Sequence, residues 1–182
     1  KGNRVAIITG SGGSAVWMAD ILSAHGLELP VLEDELQKEL MALLPPYASA
    51  LNPIDATAQA ITEVGYAKMV EIVRKSKRID TILLISSLAN DNRAKMMAEE
   101  LAPITATIDK PILMSTYTTA SPLAVATLAQ AGIPCYTSRP SWARRSGASD
   151  ASCPGFRWRC STCSKPRTAG RRSPSYSTAA SR

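Results

Sequence analysis

The chain has 182 residues, a mass of 19.4 kDa and a formal net charge of +6. This length allows one domain of ordinary size and an appendage. No apolar run approaches the roughly 18 residues that a membrane-spanning helix needs, so we expect no membrane segment. The opening Lys-Gly-Asn-Arg shows no secretory signal and leads straight into an apolar run. We therefore expect a cytoplasmic protein, and we expect the chain to be a fragment of a longer one.

The charge is divided unevenly along the chain. Residues 1–138 contain 11 Lys and Arg against 14 Asp and Glu, whereas residues 139–182 contain 10 basic residues and one acid. The second region has no Leu, Ile or Val, so it has little with which to build a core. We predict a domain over 1–138 and a basic Ser/Arg-rich tail over 139–182. The tail is either irregular natural sequence, a frame-shifted product or a nucleic-acid arm, and the last is disfavoured.

The predicted elements alternate along the first region. The sequence patterns predict strands over 4–9, 27–32, 80–86, 110–115 and 133–136, and helices over 15–24, 33–44, 61–77, 90–106 and 122–130. Several of the strands are almost continuously apolar, which is typical of a parallel sheet buried on both faces. We therefore predict an α/β fold: a flavodoxin-like doubly wound sheet of about five parallel strands, with helices on both faces.

A glycine-rich turn follows the first strand and is the principal candidate site. Glycines let the backbone approach an anion, and the amides of the next helix face it with a positive dipole end. The predicted phosphate or anion contacts are Gly10, Ser11, Gly12, Gly13 and Ser14. Two alternatives remain: the glycines could serve only to turn the chain, or they could form a dinucleotide site with Glu33 as the ribose-binding acid.

Two further segments are candidates: one follows a predicted strand, and the other is the centre of a polar loop. Ser87 and Asn90 open a helix, and Asn52 and Asp55 belong to the Asn-Pro-Ile-Asp segment of a polar loop over 47–59. These four could line the site or a domain interface, or they could simply cap a helix and form an Asx-turn. Ser11 and Ser14 have no His or acid at triad spacing, which disfavours a hydrolase, and no catalytic residue is predicted. His25 and the scattered cysteines lack the spacing of a metal site, so none is predicted.

The order of the motifs resembles a known family. RVAIITGSGG, then LLPPYAS followed by NPIDAT, then DTILLIS and KPILMS, resemble the second flavodoxin-like ligase-CoA domain of the NDP-forming (ADP-forming) acyl-CoA synthetases. These enzymes belong to the succinyl-CoA synthetase superfamily. The resemblance covers about residues 2–138, and no family is recognised in the tail.

The resemblance implies a module of an acid–CoA ligase. The parent reaction would use ATP, Mg²⁺ and CoA, and would pass through a phosphohistidine carried by another domain. Neither the phosphohistidine motif nor ATP-grasp elements occur in this chain. The implied partners are CoA-binding, phosphohistidine and ATP-grasp domains, in cis or in trans, with a homo-oligomer also possible. The module's implied role is to help hold the phosphohistidine, so we expect no activity from the chain alone and no cofactor bound firmly by it. The competing hypotheses are a stand-alone domain that binds a nucleotide or CoA phosphate at Gly10–Gly13, and nucleic-acid binding by the tail.

Overall fold

The computed structural model describes residues 2–137. These residues form one five-stranded sheet in the order β2-β1-β3-β4-β5, with every neighbouring pair parallel. The strands are β1 Val5–Thr9, β2 Ile54–Asp55, β3 Thr81–Ser86, β4 Ile112–Thr116 and β5 Cys135–Tyr136. The helices are α1 Gly12–Ala24, α2 Asp34–Met41, α3 Thr57–Glu63, α4 Tyr66–Val73, α5 Asp91–Thr105 and α6 Pro122–Gln130. The order confirms the predicted flavodoxin-like fold.

The sheet separates two apolar clusters. On one face, Met18 and Leu22 of α1 pack against alternate side chains of β1 and β3. The opposite face carries the larger cluster, to which α2–α6 contribute. β1 and β3 are buried along their whole length because helices cover both of their faces. The tail prediction for 139–182, its cysteines and the end of the predicted domain at residue 138 lie outside the described residues.

The predicted second strand over 27–32 is wrong. Only Glu28 pairs with the chain beside β1, through Val5 N–H to Glu28 O at 2.8 Å and Glu28 N–H to Asn3 O at 2.8 Å. Pro30 has no N–H to continue a ladder, and the chain leaves the sheet there. The strand on this side is instead β2, which lies within the segment predicted to be a polar loop.

Asn52 fills the gap that this leaves along β1. Its Oδ1 accepts from Ile7 N–H at 3.0 Å, and its Nδ2 donates to Val5 O at 2.6 Å and to Pro30 O at 3.0 Å. A single side chain therefore makes the hydrogen bonds that a neighbouring strand would make. The Asn52–Pro53 peptide bond is cis.

The helix boundaries differ from the sequence expectations in two places, and a third helix, α5, agrees with its prediction over 90–106. α1 begins at Gly12 rather than Ala15, because Gly12 and Gly13 belong to its first turn. The helix predicted over 61–77 with an interruption at Gly65 is two helices: α3 begins earlier, at Thr57, α4 ends earlier, at Val73, and Gly65 between them has φ +80°. α5 continues through Pro103 to Thr105. Met96 lies on the outer face of α5, whereas the adjacent Met97 is buried.

Polar contacts join the elements where β1 and β3 begin, which we call the amino edge. Arg4 donates from Nε and Nη2 to the two carboxylate oxygens of Asp80, at 2.8 and 2.7 Å. Glu33 Oε1 accepts from Lys77 N–H at 3.0 Å. Glu33 is thereby held in the turn before β3, so the structure places it away from the glycine-rich turn and does not support a ribose-binding role. Within residues 2–137, no helix has the length and apolar character needed to cross a membrane.

Candidate functional site

The strands end together at what we call the carboxyl edge. Thr9 aligns with Asp55 and with Ile85, Ser86 aligns with Thr116, and Ser115 aligns with Tyr136. From the boundary between β1 and β3 the sheet extends in both directions, to β2 on one side and to β4 and β5 on the other. The helices α1 and α5 lie on opposite faces of the sheet at this boundary. Doubly wound sheets bind ligands at this kind of switch point. The glycine-rich turn and the Ser87–Asn90 loop border it from either side.

The first turn of α1 is open. Ser11 is the N-cap residue, but its side chain makes no capping hydrogen bond. Ser11 N–H donates to Thr9 Oγ1 at 3.1 Å, and Ser14 Oγ donates to Ser11 O at 2.9 Å, which fixes the backbone of the turn. The first amides of an α-helix have no carbonyl acceptor within the helix. With no side chain capping them, these amides can meet an anion from outside.

The three glycines of this turn are glycines for different reasons. A Cβ on Gly10 would lie 3.0–3.2 Å from Ile61 and from the backbone of Thr57 and Ala58, so Gly10 lets the turn pack closely on α3. A Cβ on Gly12 would lie 2.6 Å from Asp55 Oδ2. A Cβ on Gly13 would have no atom within 4 Å. Contacts inside the described domain therefore explain Gly10 and Gly12, but they do not explain Gly13.

Asp55 stands beside the start of α1. Its Oδ1 accepts from Thr57 N–H at 3.1 Å, which is the predicted Asx-turn, and its Oδ2 lies against Gly12. Thr57 has φ +70°, a left-handed conformation that is rare for a β-branched residue. Nothing in the sequence distinguishes Thr57 from an ordinary helix-start residue, so its conformation could not be predicted.

The loop between β3 and α5 is tied to the end of β4. Asn90 caps α5 by accepting from Arg93 N–H at 3.0 Å, which confirms the capping interpretation. Ser87 Oγ and Thr118 Oγ1 are 3.1 Å apart, and Thr116 Oγ1 accepts from the N–H groups of Leu88 and Thr118 at 3.2 Å each. The Thr116 and Thr118 hydroxyls were not predicted. They could have been suspected because they follow a buried parallel strand.

The structure therefore brings together most of the predicted site residues. Gly10 to Ser14, Asp55, Ser87 and Asn90 lie at the carboxyl edge, whereas Asn52 is engaged along the side of β1. His25 is at the opposite end of α1, where Nδ1 lies 2.8 Å from Ile21 O. Cys135 is half-buried at the sheet margin, and burial raises the pKa of its thiol to about 12. A thiol with that pKa stays protonated at neutral pH, which suits a packing role.

The chemistry available at this edge is recognition by amides and hydroxyls. Among residues 2–137, no group of three or more His, Cys, Asp or Glu is arranged to hold a metal ion. The open helix start supplies a positive dipole end, Asp55 supplies a negative charge beside it, and Ser87 and Thr118 supply hydroxyls. This arrangement can orient a polar, anionic group that another molecule or domain presents.

Together, these features define a flavodoxin-like α/β domain with an uncapped glycine-rich helix start at its carboxyl edge. The profile of the Ligase-CoA domain matches residues 5–141, and the chain belongs to this family. The alpha subunit of ADP-forming acetate–CoA ligase II from Pyrococcus furiosus is 39% identical over 85 residues. That alignment spans 47% of this chain and 18% of the relative. ADP-forming acetate–CoA ligase I from Archaeoglobus fulgidus is 29% identical over 85 residues, which are 12% of its length. The chain therefore spans a small part of these relatives.

Solved structures show the same fold. The crystal structure of PH0766 from Pyrococcus horikoshii OT3 superimposes with a TM-score of 0.66 and 29% identity, over 79% of this chain and 34% of that one. The dinucleotide-forming acetyl-coenzyme A synthetase 1 of Candidatus Korarchaeum cryptofilum, solved with phosphate and ADP, gives a TM-score of 0.62 at 24% identity. It covers 79% of this chain and 31% of that protein. At this identity the second similarity concerns the fold alone.

Proposed function

We propose that the chain is the ligase-CoA module of an ADP-forming acid–CoA ligase, and that the start of α1 helps to hold the phosphohistidine of a neighbouring domain. The family supports the first part, since the relatives named for such a ligase share this domain. The second part rests on the open helix start. An uncapped N-terminus offers amides and a positive dipole end to a phosphoryl group.

The observation that carries the proposal is the open space beside Gly13. Gly13 is exposed in the first turn of α1, and no atom of the described domain lies where its Cβ would be. Its two neighbouring glycines have internal reasons to lack a side chain, whereas Gly13 has none. A glycine that leaves the helix start bare is suited to close approach by a group from outside.

The remaining machinery belongs to other domains under this proposal. We assign ATP, Mg²⁺ and CoA to the CoA-binding, phosphohistidine and ATP-grasp parts of the parent enzyme, in cis or in trans. The described residues contribute no cluster of metal-binding side chains to that assignment. The chain alone is then inactive, because no imidazole of its own stands at the open helix start: His25 is at the other end of α1. The same surface could serve a homo-oligomer of such enzymes.

The experiment measures protection of a phosphohistidine. The phosphohistidine-bearing domain of the parent enzyme is phosphorylated, and its loss of phosphate is followed with and without the 182-residue chain. We expect the chain to slow that loss, and the Gly13→Leu variant to fail to slow it. Ser23→Leu is the matched control, since it adds the same side chain to an exposed position at the far end of α1.

Two results would count against the proposal. Equal protection by the Gly13→Leu and wild-type chains would show that the phosphoryl group does not approach the start of α1. Acyl-CoA formation by the purified chain, supplied with acetate, ATP, Mg²⁺ and CoA, would show that it is not a dependent module.

A further inference from the structure

One face of the sheet is covered by a single described helix. Among residues 2–137, only α1 contributes helical side chains to the smaller apolar cluster, and it packs chiefly over β1 and β2. Neighbouring strands are about 4.8 Å apart, and a helix with its side chains is about 10 Å wide. β4 and β5 are the second and third strands from β1 on the other side, about 10 and 14 Å away. These two strands therefore lie beyond the flank of α1.

On this face, β4 and β5 present both apolar and polar side chains. Leu113 is registered with Leu83, and Ser115 is registered with Ile85 and Tyr136, so all five side chains point to the α1 side of the sheet. Leu113 and Tyr136 are half-buried. Ser115 is fully buried, and its Oγ has no hydrogen-bond partner among the described residues. Buried hydroxyls are nearly always hydrogen-bonded, so this oxygen marks the place of a polar group that the described domain does not supply.

α1 forms a wall beside these side chains. Gly12 faces β2, since a Cβ on it would meet Asp55. Ile21 comes nine residues later, which is two and a half helical turns, so it projects from the opposite flank of α1, toward β3 and β4. Ile21 is half-buried against the smaller cluster. We call the surface formed by Ile21, Leu113, Ser115 and Tyr136 the flank groove. None of these side chains is charged, so the groove suits an apolar group that carries one hydrogen-bonding atom.

We propose that the flank groove binds the side chain of Trp142, which then covers β4 and β5 from within the same chain. Trp142 lies outside the described residues, which end at Thr137, directly after Tyr136 in the groove. It is the first large apolar residue after Tyr136, six positions further on. Six residues can reach about 20 Å, which exceeds the roughly 14 Å between β5 and β1. A side chain tethered this closely also has a high effective concentration at the groove.

The chemistry of tryptophan matches the groove. The indole ring is large and apolar, and its single N–H can donate to Ser115 Oγ. Residues 139–182 contain no Leu, Ile or Val, so an aromatic ring is the main apolar group that they can offer. Phe156 has no N–H, and Trp158 would have to close a longer loop. With Trp142 in place, the parallel sheet is covered on both faces across β4 and β5, as such sheets usually are.

The test uses the full 182-residue chain and signals from the groove. We expect Trp142→Ala to remove a ring-current shift from the Leu113 methyl groups in NMR spectra and to raise the chemical nitration of Tyr136 severalfold. Trp158→Ala is the matched control, because it removes the same side chain from the same region, and it should change neither signal. The Leu123 methyl groups, which are exposed on α6, report on the fold and should be unchanged in both variants.

The Ser115 hydroxyl gives a second measurement. The indole N–H of Trp142 should exchange slowly with solvent, and Ser115→Ala should speed that exchange about tenfold by removing the acceptor. An effect of Trp142→Ala that is absent, or that Trp158→Ala reproduces, would overturn the inference. Effects that grow with protein concentration would also overturn it, because they would place the Trp142 of a second copy in the groove. Exchange that stays slow in Ser115→Ala would refute the assigned hydrogen bond.

Discussion

The two ends of the parallel strands use polar groups in opposite ways. At the amino edge, Arg4 and Asp80 form a bidentate ion pair, and Glu33 accepts a hydrogen bond from Lys77 N–H in the turn before β3. At the carboxyl edge, the first turn of α1 lacks a side-chain cap and Gly13 has open space beside it. The first set of contacts holds the chain together, and the second leaves donors available. Substitutions at the two ends should therefore separate stability from recognition.

Asn52→Ala should have the largest effect, and it should be on stability. It removes three hydrogen bonds and leaves Ile7 N–H, Val5 O and Pro30 O without that partner. Losses of this kind cost about 2–4 kcal/mol, measured as the free energy of unfolding in urea. Asn52→Asp should be no better, because a carboxylate cannot donate to the two carbonyls. Wild-type stability of the aspartate variant would contradict this account.

The Asp80→Asn variant tests the Arg4–Asp80 ion pair of the amino edge through the pH dependence of stability. The hydrogen bond from Arg4 holds the pKa of Asp80 below its usual range, against the effect of burial. A lowered pKa in the folded state contributes stability above the unfolded pKa, near pH 4, and this contribution is lost as pH falls further. The variant should therefore unfold more easily than wild type at pH 7, with a difference that shrinks in acid. A difference constant from pH 7 to about pH 3 would contradict the pairing.

Two glycine substitutions sharpen the contrast within the carboxyl edge. Gly10→Ala should destabilise the fold by about 1–2 kcal/mol, since its Cβ meets backbone atoms of α3. Gly13→Ala should be neutral or stabilising by about 0.5 kcal/mol, because alanine suits a helix better and nothing obstructs it. Thermal unfolding measures both. If the two variants had equal midpoints, the distinction between packed and open glycines would be wrong.

Thr57→Asn should have a small effect, a gain of up to about 1 kcal/mol. Asparagine tolerates the left-handed conformation and can still accept from Ala60 N–H, as Thr57 Oγ1 does at 3.4 Å. Thr62→Asn, at an ordinary position of α3, should show no gain. Chemical denaturation of the pair distinguishes relief of strain from a general benefit of asparagine.

The fold could be predicted because its signals are local and repeated. Continuous apolar runs identified β1, β3 and β4, and their alternation with helices gave the doubly wound sheet. What lies beside β1 could not be predicted, because that position is occupied by the two-residue strand β2 and by the Asn52 side chain. Those contacts join residues 45 and 47 positions apart, and no local periodicity records them.

The position of the site in the fold could be predicted, but only some of its contacts could. The glycines marked the turn, and one of the two interpretations left open for Asn90, the helix cap, is confirmed. The proximity of Asp55 to Gly12 depends on the register between β2 and β1, which the sequence does not show. Thr116 and Thr118 enter through the neighbouring strand, so their role also depends on three-dimensional packing.

Asn52 also bears on how copies of the chain avoid one another. An exposed strand edge with free N–H and C=O groups is a template for strand addition by another molecule. β1 is flanked by only short pairing on this side, and the Asn52 amide occupies the Ile7 N–H and Val5 O groups that would otherwise be open. The side chain therefore occupies backbone groups of β1 with which another strand could otherwise pair, as well as joining the fold. In concentrated solution, its loss should therefore add self-association to the loss of stability.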